Sequence, residues 1–147
     1  MIPSDREKKT AGAAPLPEVP SRNNGAPCVL VVDDEESVRD MVRRMLEHAG
    51  YKVLSAADGV DGVQVFAEKS SEVSVVLLDL MMPRMNGEET FRELRRLNAN
   101  VKIILSSGYG RETALSMMDA EIGVAGFLPK PYDFDELLEK VETALKK

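Results

Sequence analysis

Five short apolar runs, each separated from the next by a segment of helical period, constrain the fold of this chain more than any other feature of its sequence. The first, Cys28-Val29-Leu30-Val31-Val32, precedes residues 35–49, where Val38, Met41, Val42, Met45 and Leu46 recur at the spacing of one helical face. Gly50 ends that helix. Residues 51–56 read as a second strand, and Asp58 stands as the N-cap of a helix carrying Val63, Phe66 and Ala67. Val73-Ser74-Val75-Val76-Leu77-Leu78 is the third strand. It is followed by a helix over 88–97, with Phe91 and Leu94 inward, and a fourth strand over 101–105. A weaker helix spans 111–120, with Ala114, Leu115 and Met118 on its apolar side. Residues 124–128 form the fifth strand, and Asp133 caps a last helix that buries Leu137, Leu138, Val141 and Leu145.

Runs this short and this rich in Val, Ile and Leu are strands buried on both faces. Their alternation with helices implies parallel strands joined by right-handed crossovers, with helices covering both sides of the sheet. A doubly wound α/β domain follows, with five parallel strands in the order 2-1-3-4-5 and five helices. Residues 27–147 are expected to form it as a single domain, large enough to bury a real core. Residues 1–26 have no apolar period, and their prolines (Pro3, Pro15, Pro17 and Pro20) lie among Ala, Gly, Asn, Ser and charges. Such a segment cannot bury enough to offset its ordering entropy, so it reads as a disordered tail or linker.

Charges sit where the apolar runs end. Asp33-Asp34 follows the first strand, Asp79 the third, and Lys130-Pro131 the fifth. In parallel strands all of them reach the carboxyl edge of the sheet, where ligands of open α/β folds bind. Taken singly, each acid is an ordinary strand-end turn residue. Together they are harder to accommodate, because two like charges about 4 Å apart repel by roughly 4 kcal/mol at an effective dielectric near 20. Three carboxylates in one crevice must be protonated or neutralised by a cation.

One cysteine and one histidine cannot build a thiolate or imidazole metal site, so the donors are oxygens and the fitting ion is Mg²⁺. Cys28 reads as a small buried hydrophobe, and His48 as a cation in the last turn of the first helix. Lys130, the Ser107 hydroxyl and nearby loop amides complete a site for a phosphoryl group. The turn after the first strand, Asp33-Asp34-Glu35-Glu36, lacks the glycine-rich cradle of nucleotide sites. What remains is a carboxylate that accepts a phosphoryl group covalently, and Asp79, alone between the acid pair and the lysine, is the candidate.

The net charge of −6 argues against a dedicated nucleic-acid binder. Arg43-Arg44 and Arg95-Arg96 read as solvated or partner-contact faces of helices. No apolar stretch approaches the roughly 20 residues of a membrane span and no signal-peptide core is present, so the expected location is the cytoplasm.

Four stretches, in order, carry a family resemblance: Val29 to Glu36 (VLVVDDEE), Leu77 to Gly87 (LLDLMMPRMNG), Ile103 to Tyr109 (IILSSGY) and Gly126 to Tyr132 (GFLPKPY). Over about residues 26–147 the chain resembles the receiver domain of two-component response regulators, whose fold is of flavodoxin-like form. The resemblance implies that Asp79 is the phosphoacceptor, and that Asp34, Asp79 and the backbone carbonyl of Met81 bind Mg²⁺, with Asp33 acting through a metal-bound water. It implies that Ser107, rather than Ser106, and Lys130 bind the phosphoryl oxygens, across a Lys130-Pro131 bond that is usually cis. Phe127 takes the place of the aromatic switch residue, without the hydroxyl of the commoner tyrosine.

By the same resemblance the phosphoryl donor is a histidine kinase or phosphotransfer protein. Phosphorylation draws Ser107 and Lys130 inward, lets Phe127 fill the space left, and alters the face made by the fourth helix, fifth strand and fifth helix. The expected states are a monomer or a weak phosphorylation-dependent dimer. The expectation is that no output domain follows Lys147 and that the action falls on another protein, and the motifs lean toward receivers of hybrid histidine kinases.

Three rivals share parts of this pattern. A phosphatase of the haloacid dehalogenase type needs an acid two residues after its nucleophile, where Met81 stands. A flavodoxin-like FMN carrier would meet four charged groups at the switch point. A docking module would bind its partner whether or not Asp79 is phosphorylated.

Overall fold

The computed structural model describes residues 26–82, 85–108 and 124–146. Within them the chain forms β1 (Cys28–Val32), α1 (Glu36–His48), β2 (Lys52–Ala56), α2 (Gly59–Lys69), β3 (Val73–Asp79), α3 (Gly87–Leu97), β4 (Lys102–Ser107), β5 (Gly126–Pro129) and α4 (Phe134–Lys146). All pairings are parallel and the sheet order is β2-β1-β3-β4-β5, as the alternation of elements implies. Of the tail predicted at 1–26 all but Ala26, and the whole helix predicted at 111–120, lie outside the described residues, so the last of the five predicted helices is α4 here.

Alternation along the strands divides the core into two layers. On one face Leu30, Val32, Val76, Leu78, Ile103, Leu105 and Phe127 pack with Phe66 of α2 and with Phe91 and Leu94 of α3. On the other, Val29, Val31, Val75, Leu77, Ile104 and Leu128 pack with Val42 and Leu46 of α1 and with Leu137, Val141 and Ala144 of α4. Every residue of β1 is buried, which is why that strand shows no polar alternation, and Cys28 is buried with it.

Side-chain caps start α2, α3 and α4, whereas Glu35 before α1 makes no such bond. Asp58 accepts from the Asp61 amide at 2.8 Å, and Asp133 from the Glu136 amide at 2.9 Å, with Glu136 returning the bond to the Asp133 amide. Gly50, at φ 98°, turns the chain out of α1 in the left-handed region that glycine alone enters freely.

Several details depart from the sequence reading. In α2 the buried positions are Gly59, Gly62 and Phe66, while Ala67 is exposed. A β-carbon on Gly62 would come within 2.9 Å of the Val32 side chain, so the helix lies against β1 at Gly62, whereas Gly59 abuts Met85 and Thr90. In α4 the fully buried residues are Leu137, Val141 and Ala144, with Leu138 and Leu145 only half-buried at the edges of the stripe. β4 continues to Ser107 because Ser106 and Ser107 pair with Leu128 and Pro129, and β5 starts later than predicted, at Gly126.

Candidate phosphoryl-acceptor site

The carboxyl ends of β1, β3 and β5 bring three acids and a lysine together. Asp33 leaves β1 still tied to β2 through its amide, which donates to the Ala56 carbonyl at 3.2 Å. Its Oδ1 accepts from the Glu35 amide at 2.9 Å, and its carbonyl accepts from Arg39 Nη1 at 2.7 Å, so both the side chain and the backbone of Asp33 are fixed. Asp34 is exposed beside it. Asp79, the last residue of β3, is buried, and its Oδ1 accepts from the Met81 amide at 3.2 Å. Carboxylate oxygens of Asp33, Asp34 and Asp79 lie within 4.8 Å of one another.

Lys130 is held at this edge by its amide, which donates to the Ser107 carbonyl at 2.8 Å, and the Lys130-Pro131 bond is cis. The Lys130 ammonium lies 3.0 Å from Asp33 Oδ2, 3.5 Å from Asp79 Oδ2 and 3.5 Å from Glu35 Oε1. Burial penalises this ammonium, but the hydrogen bond to Asp33 and the charges of Asp79, Asp33 and Glu35 outweigh it and hold its pKa above that of an ordinary lysine. The Asp79 carboxyl is pushed up to about 7, first by burial and then by the charge of Asp33, against the lowering pull of Lys130 and the Met81 amide. One lysine therefore does not neutralise the cluster. An all-oxygen donor set with excess negative charge is what a hard divalent ion such as Mg²⁺ requires.

Ser107 is the last residue of β4, buried on the sheet face that carries Ile103, Leu105 and Phe127. Phe127 is buried in register with Leu105. Ser106 points to the opposite face and pairs in register with Asp79. The structure thus gathers Asp33, Asp34, Asp79 and Lys130 at one edge and puts Ser107 and Phe127 on a common side of the sheet. Met81 contributes its amide to Asp79.

Sequence reasoning passed over Glu35 as a partner of Lys130, Arg39 as the brace of the Asp33 backbone, and Tyr132, which is buried behind Lys130. Glu35 was visible only as part of an acidic run. Arg39 lies three residues after Glu36 on a helix face otherwise read for its apolar members.

The comparisons agree with this fold. Residues 29–142 match the family model described as the response regulator receiver domain. The sensor kinase CckA of Brucella abortus is 36% identical over 142 residues, which cover 97% of this chain and 14% of that protein. The chemotaxis protein CheY of Treponema pallidum is 32% identical over 147 residues, 99% of this chain and 96% of that one. Among solved structures, the CheX-CheY-BeF3-Mg complex of Borrelia burgdorferi superposes with a TM-score of 0.78 at 25% identity, covering 84% of this chain and 93% of the matched one. An acidic crevice at the carboxyl edge of a 2-1-3-4-5 sheet, matched from the first strand into the last helix, places this chain in the family of response regulator receiver domains.

Proposed function

We propose that Asp79 accepts a phosphoryl group from a phosphohistidine, carried by a histidine kinase or a phosphotransfer protein, in a Mg²⁺-dependent reaction. The bond between phosphorus and the imidazole nitrogen breaks as the bond to Asp79 Oδ forms. The observation that carries this is the convergence of Asp33, Asp34 and Asp79 within 4.8 Å, answered among the described residues by Lys130. Asp34, Asp79 and the Met81 carbonyl would hold Mg²⁺, with Asp33 reached through a water. The bound ion supplies positive charge to the phosphoryl oxygens. Lys130 would exchange Asp33 for the phosphoryl group, and Ser107 would donate to it.

The shared sheet face of Ser107 and Phe127 supports transmission of that change toward the surface to which β5 and α4 contribute. Beside the site an apolar groove of about 350 Å³, lined by Val38, Met41, Pro131 and Tyr132 with Glu35 and Lys130 at its polar edge, suits the approach of a protein donor. Met81 at the second position after Asp79 leaves no acid to protonate a leaving alcohol, which disfavours a phosphatase.

The test is incubation with Mg²⁺ and a small acyl phosphate. Stoichiometric, hydroxylamine-labile labelling that is lost in Asp79→Asn is expected. Sustained turnover of phosphate esters would overturn the proposal in favour of an enzyme.

A further inference from the structure

On the sheet face away from Ser107, two further hydroxyls lie directly behind the acids. Ser106 is 2% exposed and Tyr132 is 8% exposed, so both residues are buried. Ser106 pairs in register with Asp79, and its carbonyl accepts from the Leu80 amide at 2.9 Å, which fixes the two residues side by side. Counting in twos from Leu77 and from Ile104 puts both side chains on the face where Tyr132 packs with Leu128 and Leu137.

Ser106 Oγ has no hydrogen-bond partner, an arrangement that buried hydroxyls rarely tolerate. Its interacting neighbour on this face is the Tyr132 hydroxyl, whose ionisation Ser106 favours. That phenol is pushed up to about 12, first by burial and then by the charge of Asp33; Lys130 and Ser106 oppose the rise and Asp79 adds to it. It therefore senses both carboxylates. In this arrangement Asp79 is already engaged, by the Met81 amide at Oδ1 and by Lys130 at Oδ2.

We propose that Ser106 and Tyr132 act as one positioning pair, in which Tyr132 donates to Ser106 Oγ and Ser106 donates to the Asp79 carboxylate when negative charge returns to it. The moment of need is hydrolysis of the acyl phosphate. Water attacks phosphorus, the bond between Asp79 Oδ and phosphorus breaks, the carboxylate leaves with the electron pair, and the proton of water goes to solvent as inorganic phosphate departs. A donor behind the carboxylate stabilises it as a leaving group, so the pair shortens the phosphorylated lifetime. Ser107 on the opposite face answers the phosphoryl group, whereas Ser106 answers the carboxylate it leaves behind. This inference rests on Asp79 being the phosphoacceptor.

The test labels the wild type, Ser106→Ala, Tyr132→Phe and the double variant with a small acyl phosphate at saturating Mg²⁺. After the donor is removed, loss of the phosphoryl group is followed by intact mass, with Asp79→Asn as control. Each single variant is expected to lengthen the half-life by roughly 5- to 10-fold, the effect of one hydrogen bond. The double variant should be no longer-lived than the longer single one, because the pair acts as a unit. Tyr132→Phe keeps the ring and Ser106→Ala removes an orphaned group, so both should fold, and a purely packing role would shift their melting without coupling their lifetimes. With Asp79 labelled in the wild type, half-lives that are unchanged or shortened, or effects that multiply in the double variant, would overturn the pair alone. Labelling that survives in Asp79→Asn would overturn the parent reading as well.

Discussion

Asp79 is an acid whose ionisation the fold opposes, and that opposition is the source of its expected behaviour. Its pKa rises from 3.8 to about 7, so the folded chain binds that proton more tightly than the unfolded chain does. The resulting stability is complete below about pH 4 and is lost as pH climbs through 7. In Mg²⁺-free buffer, Asp79→Asn should therefore be more stable than the wild type by a margin that grows from pH 5 to pH 8, up to about 4 kcal/mol. Denaturant melts at the two pH values check this, and Mg²⁺ should narrow the gap by binding the ionised Asp79 carboxylate of the wild type. Lys130→Met has the opposite sign. It leaves Asp33, Asp79 and Glu35 without their common partner and should cost about 2–4 kcal/mol at pH 8, less at pH 5.5 where Asp79 is protonated.

At the scale of elements, the loop after β3 is positioned by α3. Gly87 donates its amide to the Leu80 carbonyl at 2.9 Å, and a β-carbon there would stand 2.5 Å from Leu80 Cα, so only glycine allows the approach. Gly87→Ala should cost about 1–3 kcal/mol in stability and, by pushing away the loop that carries Met81, should slow phosphorylation of Asp79. Asn86→Ala is the control. It removes a capping box at the start of the same helix, should cost about 1 kcal/mol, and should leave phosphorylation near the wild-type rate. Element type and order were legible because strands buried on both faces and helices with one apolar face leave different periods in the sequence. Boundaries and exact facing were not. Ala67 was grouped with Val63 and Phe66 as an apolar member of its helix, yet Phe66 takes the core and Ala67 meets solvent.

For the whole molecule, five parallel strands end at one edge, and that topology converts three separated stretches of sequence into one acidic crevice. The positions of Asp33, Asp34, Asp79 and Lys130 were legible because each follows an apolar run directly, so strand order alone brings them together. The preference of Lys130 for Asp33, the place of Glu35, and the burial of Tyr132 behind Ser106 depend on how turns leave the strands, which no residue spacing encodes. Among the described residues no helix is long and apolar enough to cross a membrane. The most direct test of the account is chemical identification of the acceptor. The protein is phosphorylated with a small acyl phosphate in Mg²⁺, the acyl phosphate is reduced with borohydride, and the residue converted is mapped by peptide mass. Homoserine at position 79 and nowhere else is the predicted result; conversion at Asp33 or Asp34, or labelling that resides on His48, would contradict it.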